Sequence, residues 1–231
     1  MSTPKDARIP MSDAKESVTS GITCMFTDLR SISGPIVRVA LSDIDKTDEV
    51  FVHLQILRSS SKFFQSATKP EWNELRDKPN TINIRVDPQV FKAYVHWLYT
   101  GNMPRLFDDP DDEFAFLAKL YVLGEELMDV TFKNIIIDIF VVVTVEDRCY
   151  PIGEPVAIIY AGTPASSPAR RLMVDFCAHV ANVKDDSWLI EFPECPKEFL
   201  VDALTATITL RTETPGSRPW TQSQSSYHES A

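Results

Sequence analysis

The sequence predicts an α+β protein in which short strands come first and a run of helices follows. Three observations predict it. The β-branched run Ile36-Val37-Arg38-Val39-Ala40-Leu41 lies close to a second short run, Val50-Phe51-Val52. Thr81-Ile82-Asn83-Ile84-Arg85-Val86 alternates apolar and polar, as a strand with one buried face does. From Asp87 onward, apolar residues recur at helical spacing.

The first two runs pair as a hairpin across the turn-like segment 42–48, and Asp77-Lys78-Pro79-Asn80 supplies the turn before the third. The next element opens at Asp87-Pro88, where Asp caps orphan N–H groups and Pro sits at the first helical position. Phe91, Tyr94, Val95 and Leu98 then fall at i, i+3, i+4 and i+7, flanked by Val90 and Trp97. At about 1.5–3 kcal/mol per buried side chain, that stripe anchors the helix. Gly101 ends it as a left-handed cap.

A second helix follows the acidic segment Asp108 to Asp112, with Phe114, Leu117, Ala118 and Tyr121 as its stripe and Gly124 near its end. The acids suit the positive end of the helix dipole. Asp129 opens a third helix, Val130 to about Val143, although its Ile and Val content has strand propensity. Short helices interrupted by Pro155, Pro164, Pro168, Pro193 and Pro196 fill 151–210. Residues 1–20 are expected as a flexible tail, 146–211 as a helical C-terminal segment, and the Ser-, Gln- and Pro-rich 212–231 as a disordered tail.

Composition narrows the function. The 231 residues carry 23 Lys and Arg against 33 Asp and Glu, a formal charge of -10, and no clustered positive window beyond Arg170-Arg171. Neither nucleic acid nor an anionic membrane is an expected partner. Cys24, Cys149, Cys177 and Cys195 are scattered without CxxC spacing, as thiols of a reducing compartment are. The first residues lack a secretory pattern, and the longest apolar stretch, Ile135 to Val145, carries Asp138 and is too short to span a bilayer. A cytoplasmic or nuclear location is the expectation.

Chemistry is sparse. The seven glycines form no GxGxxG, GxxxxGK[ST] or GxSxG, so no cofactor is implied. Of the four histidines, His96 sits beside Trp97 on a helix rim. Cys177 and His179 share a metal only if two distant ligands join them. Asp109, Asp111 and Glu113 imitate a calcium loop, but its sixth position is Phe114 and its twelfth Leu120, where Gly and Glu are needed. A small metal-dependent hydrolase using Cys177, His179 and the acidic segment is the weakest of the readings.

The stretch Phe51-Val52-His53-Leu54-Gln55-Ile56-Leu57-Arg58-Ser59-Ser60-Ser61-Lys62-Phe63-Phe64 resembles the BTB/POZ signature, a strand ending in F-x-x-H, then I-L and S-x-x-F. Asp87-Pro88 with Phe91 and Trp97-Leu98-Tyr99-Thr100-Gly101 resemble the start and end of that family's third helix, and Leu120 to Gly124 its fourth. The likeness runs from Ile36 to about Phe140, within a domain expected over 21–145, and is greatest to the short BTB-only proteins of filamentous fungi, whose W-x-E pattern Trp72-Asn73-Glu74 fits.

The resemblance implies a small three-stranded sheet capped by a cluster of helices, self-association as a homodimer, and a non-enzymatic adaptor that binds protein partners. Phe51, Ile56, Leu57, Phe63 and Phe64 are expected in the core, with His53 and Ser61 as internal hydrogen bonders. Where dimeric regulators of the family carry an Asp at the first core strand, Gly34 or Pro35 stands here, although Lys62 is present. Cullin-binding members carry an apolar-x-Glu element before the fourth helix. Leu106-Phe107-Asp108 and Phe107-Asp108-Asp109 are its nearest counterparts, so a substrate receptor of a cullin-type ubiquitin ligase is the alternative. The expected partner contacts are Leu54, Gln55, Met103, Leu106, Phe107, Asp108 and Asp109.

Overall fold

The computed structural model describes residues 34–43, 46–69, 71, 81–182, 186–210 and 219–230. The expected tail 1–20, the turn 77–80 and Trp72-Asn73-Glu74 lie outside them.

Strands β1 (Ile36–Ser42) and β2 (Thr47–His53) form the antiparallel hairpin, with Val37 opposite Val52 and Val39 opposite Val50. β3 (Thr81–Arg85) joins β1 on its other side in parallel register, giving a mixed three-stranded sheet of order β2-β1-β3. Val37, Val39, Leu41, Val52, Ile82 and Ile84 turn one face of the sheet inward. Strand alternation therefore sends Phe51 to the other face, where it is 64% exposed, and corrects its expected place in the core. Ile56, Leu57 and Phe64 are buried, and Phe63 packs partly buried against them.

Helix α1 (Leu54–Ser60) starts directly from β2, and α2 (Lys62–Ala67) follows a one-residue break. The break is Ser61, fully buried, whose hydroxyl donates to Leu127 O at 2.7 Å and accepts from Phe64 N at 3.2 Å. One side chain thus caps α2 and ties it to a distant segment.

Helix α3 (Pro88–Thr100) is capped as the sequence requires: Asp87 accepts from Gln89 N at 2.8 Å, and Gly101 closes the helix at φ 71, a left-handed conformation that costs glycine little. Helix α4 (Pro110–Glu126) is central, its buried residues running from Glu113 to Gly124. Helix α5 (Val130–Asp147) follows, capped by Asp129, which accepts from Phe132 N at 2.9 Å. Its Ile- and Val-rich sequence forms a helix because burial of Ile136, Ile137, Phe140, Val141 and Val143 against neighbouring helices outweighs strand propensity. A Cβ on Gly124 would stand 2.8 Å from Lys133 Cγ and 3.2 Å from Phe132 Cδ1, so any larger residue there forces the first turn of α5 to shift.

Beyond α5 come α6 (Glu154–Gly162), α7 (Pro168–Val180), α8 (Asp186–Glu191), a 3-10 turn (Phe192–Glu194) and α9 (Lys197–Leu210). Pro155 and Pro168 sit in the first turns of α6 and α7, where a missing N–H costs nothing, so they begin helices rather than interrupt them. Arg170 holds the end of α6: its guanidinium donates to Tyr160 O at 2.6 Å and to Thr163 O, and lies 4.5 Å from the Tyr160 ring centroid. One hydrophobic core runs unbroken from Val37 through Phe114 and Phe140 to Phe199 and Tyr227.

The expected disordered tail is corrected over 219–230, which forms a short helix α10 (Pro219–Gln222) and a 3-10 turn (Gln224–Tyr227). The cause is two aromatic side chains, Trp220 and Tyr227, each only 1% exposed. No helix among the described residues is long and apolar enough to cross a membrane.

Candidate functional site

Five of the seven expected contact residues lie on the segment between α3 and α4, and three anchors fix its backbone. Glu113, 2% exposed in the first turn of α4, accepts from the backbone N–H groups of Leu106 and Phe107 through one carboxylate oxygen, at 3.2 and 3.1 Å. Arg105 forms a two-pronged pair with Asp147 at the end of α5, at 2.5 and 3.2 Å, and its Nε donates to Phe107 O at 3.1 Å. Two parallel N–H···O bonds fix a guanidinium's orientation as well as its position. Finally, Asp109 caps α4, accepting from Asp111 N at 2.9 Å.

These anchors sort the expected contacts. Phe107 turns inward, its ring 5.4 Å from that of Phe116, and Met103 also packs against the core. Asp109 is occupied by its cap. Leu106, 47% exposed, and Asp108 face solvent from a backbone that two hydrogen bonds hold still. The expected calcium-like acids are spent in the same way, with Asp109 capping and Glu113 holding the loop.

Leu54 and Gln55 form the first turn of α1, Leu54 half-buried and Gln55 exposed. They are joined to the loop through the last turn of α3. The Tyr99 hydroxyl accepts from His53 N at 3.1 Å and lies 2.7 Å from His53 Nδ1, so the residue that starts α1 is fastened just before Gly101. Around this fastening the surface is apolar: Ile36, opposite His53 in the sheet, is 55% exposed, and Tyr99 is 37% exposed. Phe51 adds its exposed ring on the outer face.

Ile36, Phe51, Tyr99 and Arg105 were missing from the expected contacts. A signal for Phe51 was present in Val50-Phe51-Val52, because strand alternation sends either the phenylalanine or both valines outward. Only the pairing of Val52 with Val37 decides which.

Burial, reinforced by nearby Cys195, pushes the Cys177 thiol up to about 11, so it is protonated and a poor nucleophile at neutral pH. His179 stacks edge-on against Trp220, with ring centroids 5.6 Å apart. Among the described residues no group of three or more His, Cys, Asp or Glu side chains is placed to hold a metal ion. Arg170 and Arg171 are both engaged within the fold. No family model matches the chain, and no curated protein matches it.

Proposed function

We propose that the chain is a non-enzymatic protein-interaction adaptor of the BTB/POZ type. The observation that carries the reading is the loop before α4, whose backbone is anchored at both ends while Leu106 and Asp108 point outward. Ordering such a surface in advance removes part of the entropy cost that a mobile loop pays on binding. The signature residues from Phe51 to Phe64 and the element order β1-β2-α1-α2-β3-α3-α4-α5 support the family part of the proposal.

Affinity capture from the native cell, using wild type, Leu106→Asp and Phe51→Asp, tests it. Loss of specific proteins from one or both variants is the expected result. An identical set recovered by all three removes the proposed surface.

A second reading, a substrate receptor for a cullin-type ubiquitin ligase, is favoured by one observation: Leu106-Phe107-Asp108 places an apolar and an acidic residue two apart in the segment that precedes α4. Pull-down with a purified cullin scaffold decides it, with Leu106→Ala/Asp108→Ala as the comparison. Phe107 is left intact because its ring packs on Phe116. Recovery by wild type with at least tenfold loss in the variant supports the receptor reading; equal or absent recovery in both rejects it.

Self-association belongs to the same proposal and is supported by the exposed Ile36, Phe51 and Tyr99 side chains. Light scattering across the micromolar range is expected to show a dimer that Phe51→Asp converts to monomer. A wild-type chain that stays monomeric throughout removes the dimer.

A further inference from the structure

The C-terminal segment 219–230 lies along a groove between α5 and α7 and is held there through side chains of alternating chemistry. On the α7 wall, Arg171, Asp175 and His179 recur every four residues and form one stripe. Asp175 accepts from the Tyr227 hydroxyl at 2.6 Å. Arg171 lies 4.9 Å from the Tyr227 ring centroid and donates to Ser226 O. Trp220 packs edge-on against His179 and Phe176, 5.6 and 5.1 Å away between ring centroids.

On the α5 wall, Asn134 Oδ1 accepts from Glu229 N at 2.7 Å, and Asp138 lies 2.9 Å from His228 Nε2. Lys133, only 5% exposed, sits between Glu125 at 2.6 Å and Glu229 at 3.1 Å. The Tyr121 hydroxyl of α4 also donates to Glu229, at 3.0 Å.

This is the anatomy of a bound peptide. Two aromatic anchors at i and i+7 are sunk almost completely, and a rim of charged and amide groups reads the residues beside them. The groove walls present a buried lysine and a carboxylate whose tail partners are a carboxylate and a phenol, so the site has a defined polarity as well as a shape.

We propose that this groove is a binding site for the chain's own C-terminal sequence, filled in cis by residues 219–230 and in trans by the same segment of a second copy. The same contacts serve both arrangements. Only the intervening residues 211–218, which lie outside the described residues, connect the tail to α9. Because the tail and its groove belong to one covalent chain, cis filling is intramolecular and dominates in dilute protein. Exchange between copies grows when the chains are concentrated together or when one tail is weakened. The site is separate from the loop before α4 and does not depend on the adaptor proposal.

The test uses the full chain and a fluorescent synthetic peptide of residues 217–231. Wild type, with its groove occupied, is expected to bind the peptide weakly. Trp220→Ala/Tyr227→Ala, with its own tail released, is expected to bind it at least tenfold more tightly. Adding Asp175→Ala to that double variant is expected to reverse the gain.

Three results overturn the proposal. One is a folded double variant that takes up no peptide at up to about 1 mM. Another is uptake that Asp175→Ala leaves unchanged, which places the peptide elsewhere. The third is a double variant that no longer folds by circular dichroism, which makes 219–230 an integral part of the core and not a ligand.

Discussion

Tyr94 and Asp129 show how much one buried contact carries. The Tyr94 hydroxyl donates to Asp129 at 2.9 Å while the same carboxylate caps α5, and both residues are fully buried. Burial first, and then the adjacent carboxylate, pushes the Tyr94 phenol well above its ordinary value, so it remains a donor at any working pH. Tyr94→Phe takes a partner from a buried carboxylate and is expected to lower stability by about 1.5–3 kcal/mol in urea unfolding. A loss under about 0.5 kcal/mol shows the contact to be energetically idle. In sequence, Tyr94 reads only as one member of an apolar stripe and Asp129 only as a cap. Their meeting, 35 residues apart, is not written in either local pattern. The same limit applies to Phe51, whose outward direction depends on which residue of another strand lies opposite its neighbour.

Elements were legible wherever local chemistry decides them. Asp87-Pro88 and Gly101 bracket α3, and Asp129 starts α5, as their cap residues dictate. Asp87 also joins α3 to the hairpin, pairing with Lys46 at 2.9 Å. Burial raises the Asp87 carboxyl, but Lys46 and the Gln89 N–H together outweigh it and hold the group below its ordinary value. A carboxyl lowered in the folded state stabilises fully above its unfolded value, near pH 4, and loses that contribution as pH falls through the lower folded value. Urea midpoints are therefore expected to fall between pH 5 and pH 2.5. Asp87→Asn, which keeps a capping side chain but drops the charge, is expected to flatten part of that fall; an unchanged slope counts against the pairing. Gly124 gives a second expectation. Gly124→Ala drives a methyl into Lys133 and Phe132 and is expected to cost about 1–3 kcal/mol by thermal or urea unfolding. The helix pattern around Gly124 hides this, because glycine near a helix end reads equally well as a terminator.

At the scale of the molecule, the C-terminal third is continuous with the rest. The resemblance ends near Phe140 and so implies an appended helical segment after residue 145. Packing is continuous across that point: a Cβ on Gly162 would collide with Val122 of α4, so α6 lies directly on the central helix, and the buried cluster extends into α9 at Phe199. A single cooperative transition is expected, with fluorescence and circular dichroism melting together; two separated transitions contradict the continuous core. The loop surface was half legible. Residue types pointed to Met103–Asp109, but which of them face outward follows from Glu113, Arg105 and Asp147, one of them contributed by the far end of α5.

The parallel register of β1 and β3 also has a consequence for the chain as it is made. The hairpin can close as soon as His53 has emerged, yet β1 then offers one bare edge until Arg85 appears. At ribosomal speeds that interval is roughly 2 to 6 seconds. During it, an unpaired row of backbone groups stands beside Ile36 and Phe51, an invitation to pair with a neighbouring nascent chain. Arg38 on the same outer face, with its charge partner Glu49 across the hairpin, places charge beside that greasy surface and acts as a gatekeeper while the sheet waits for its third strand.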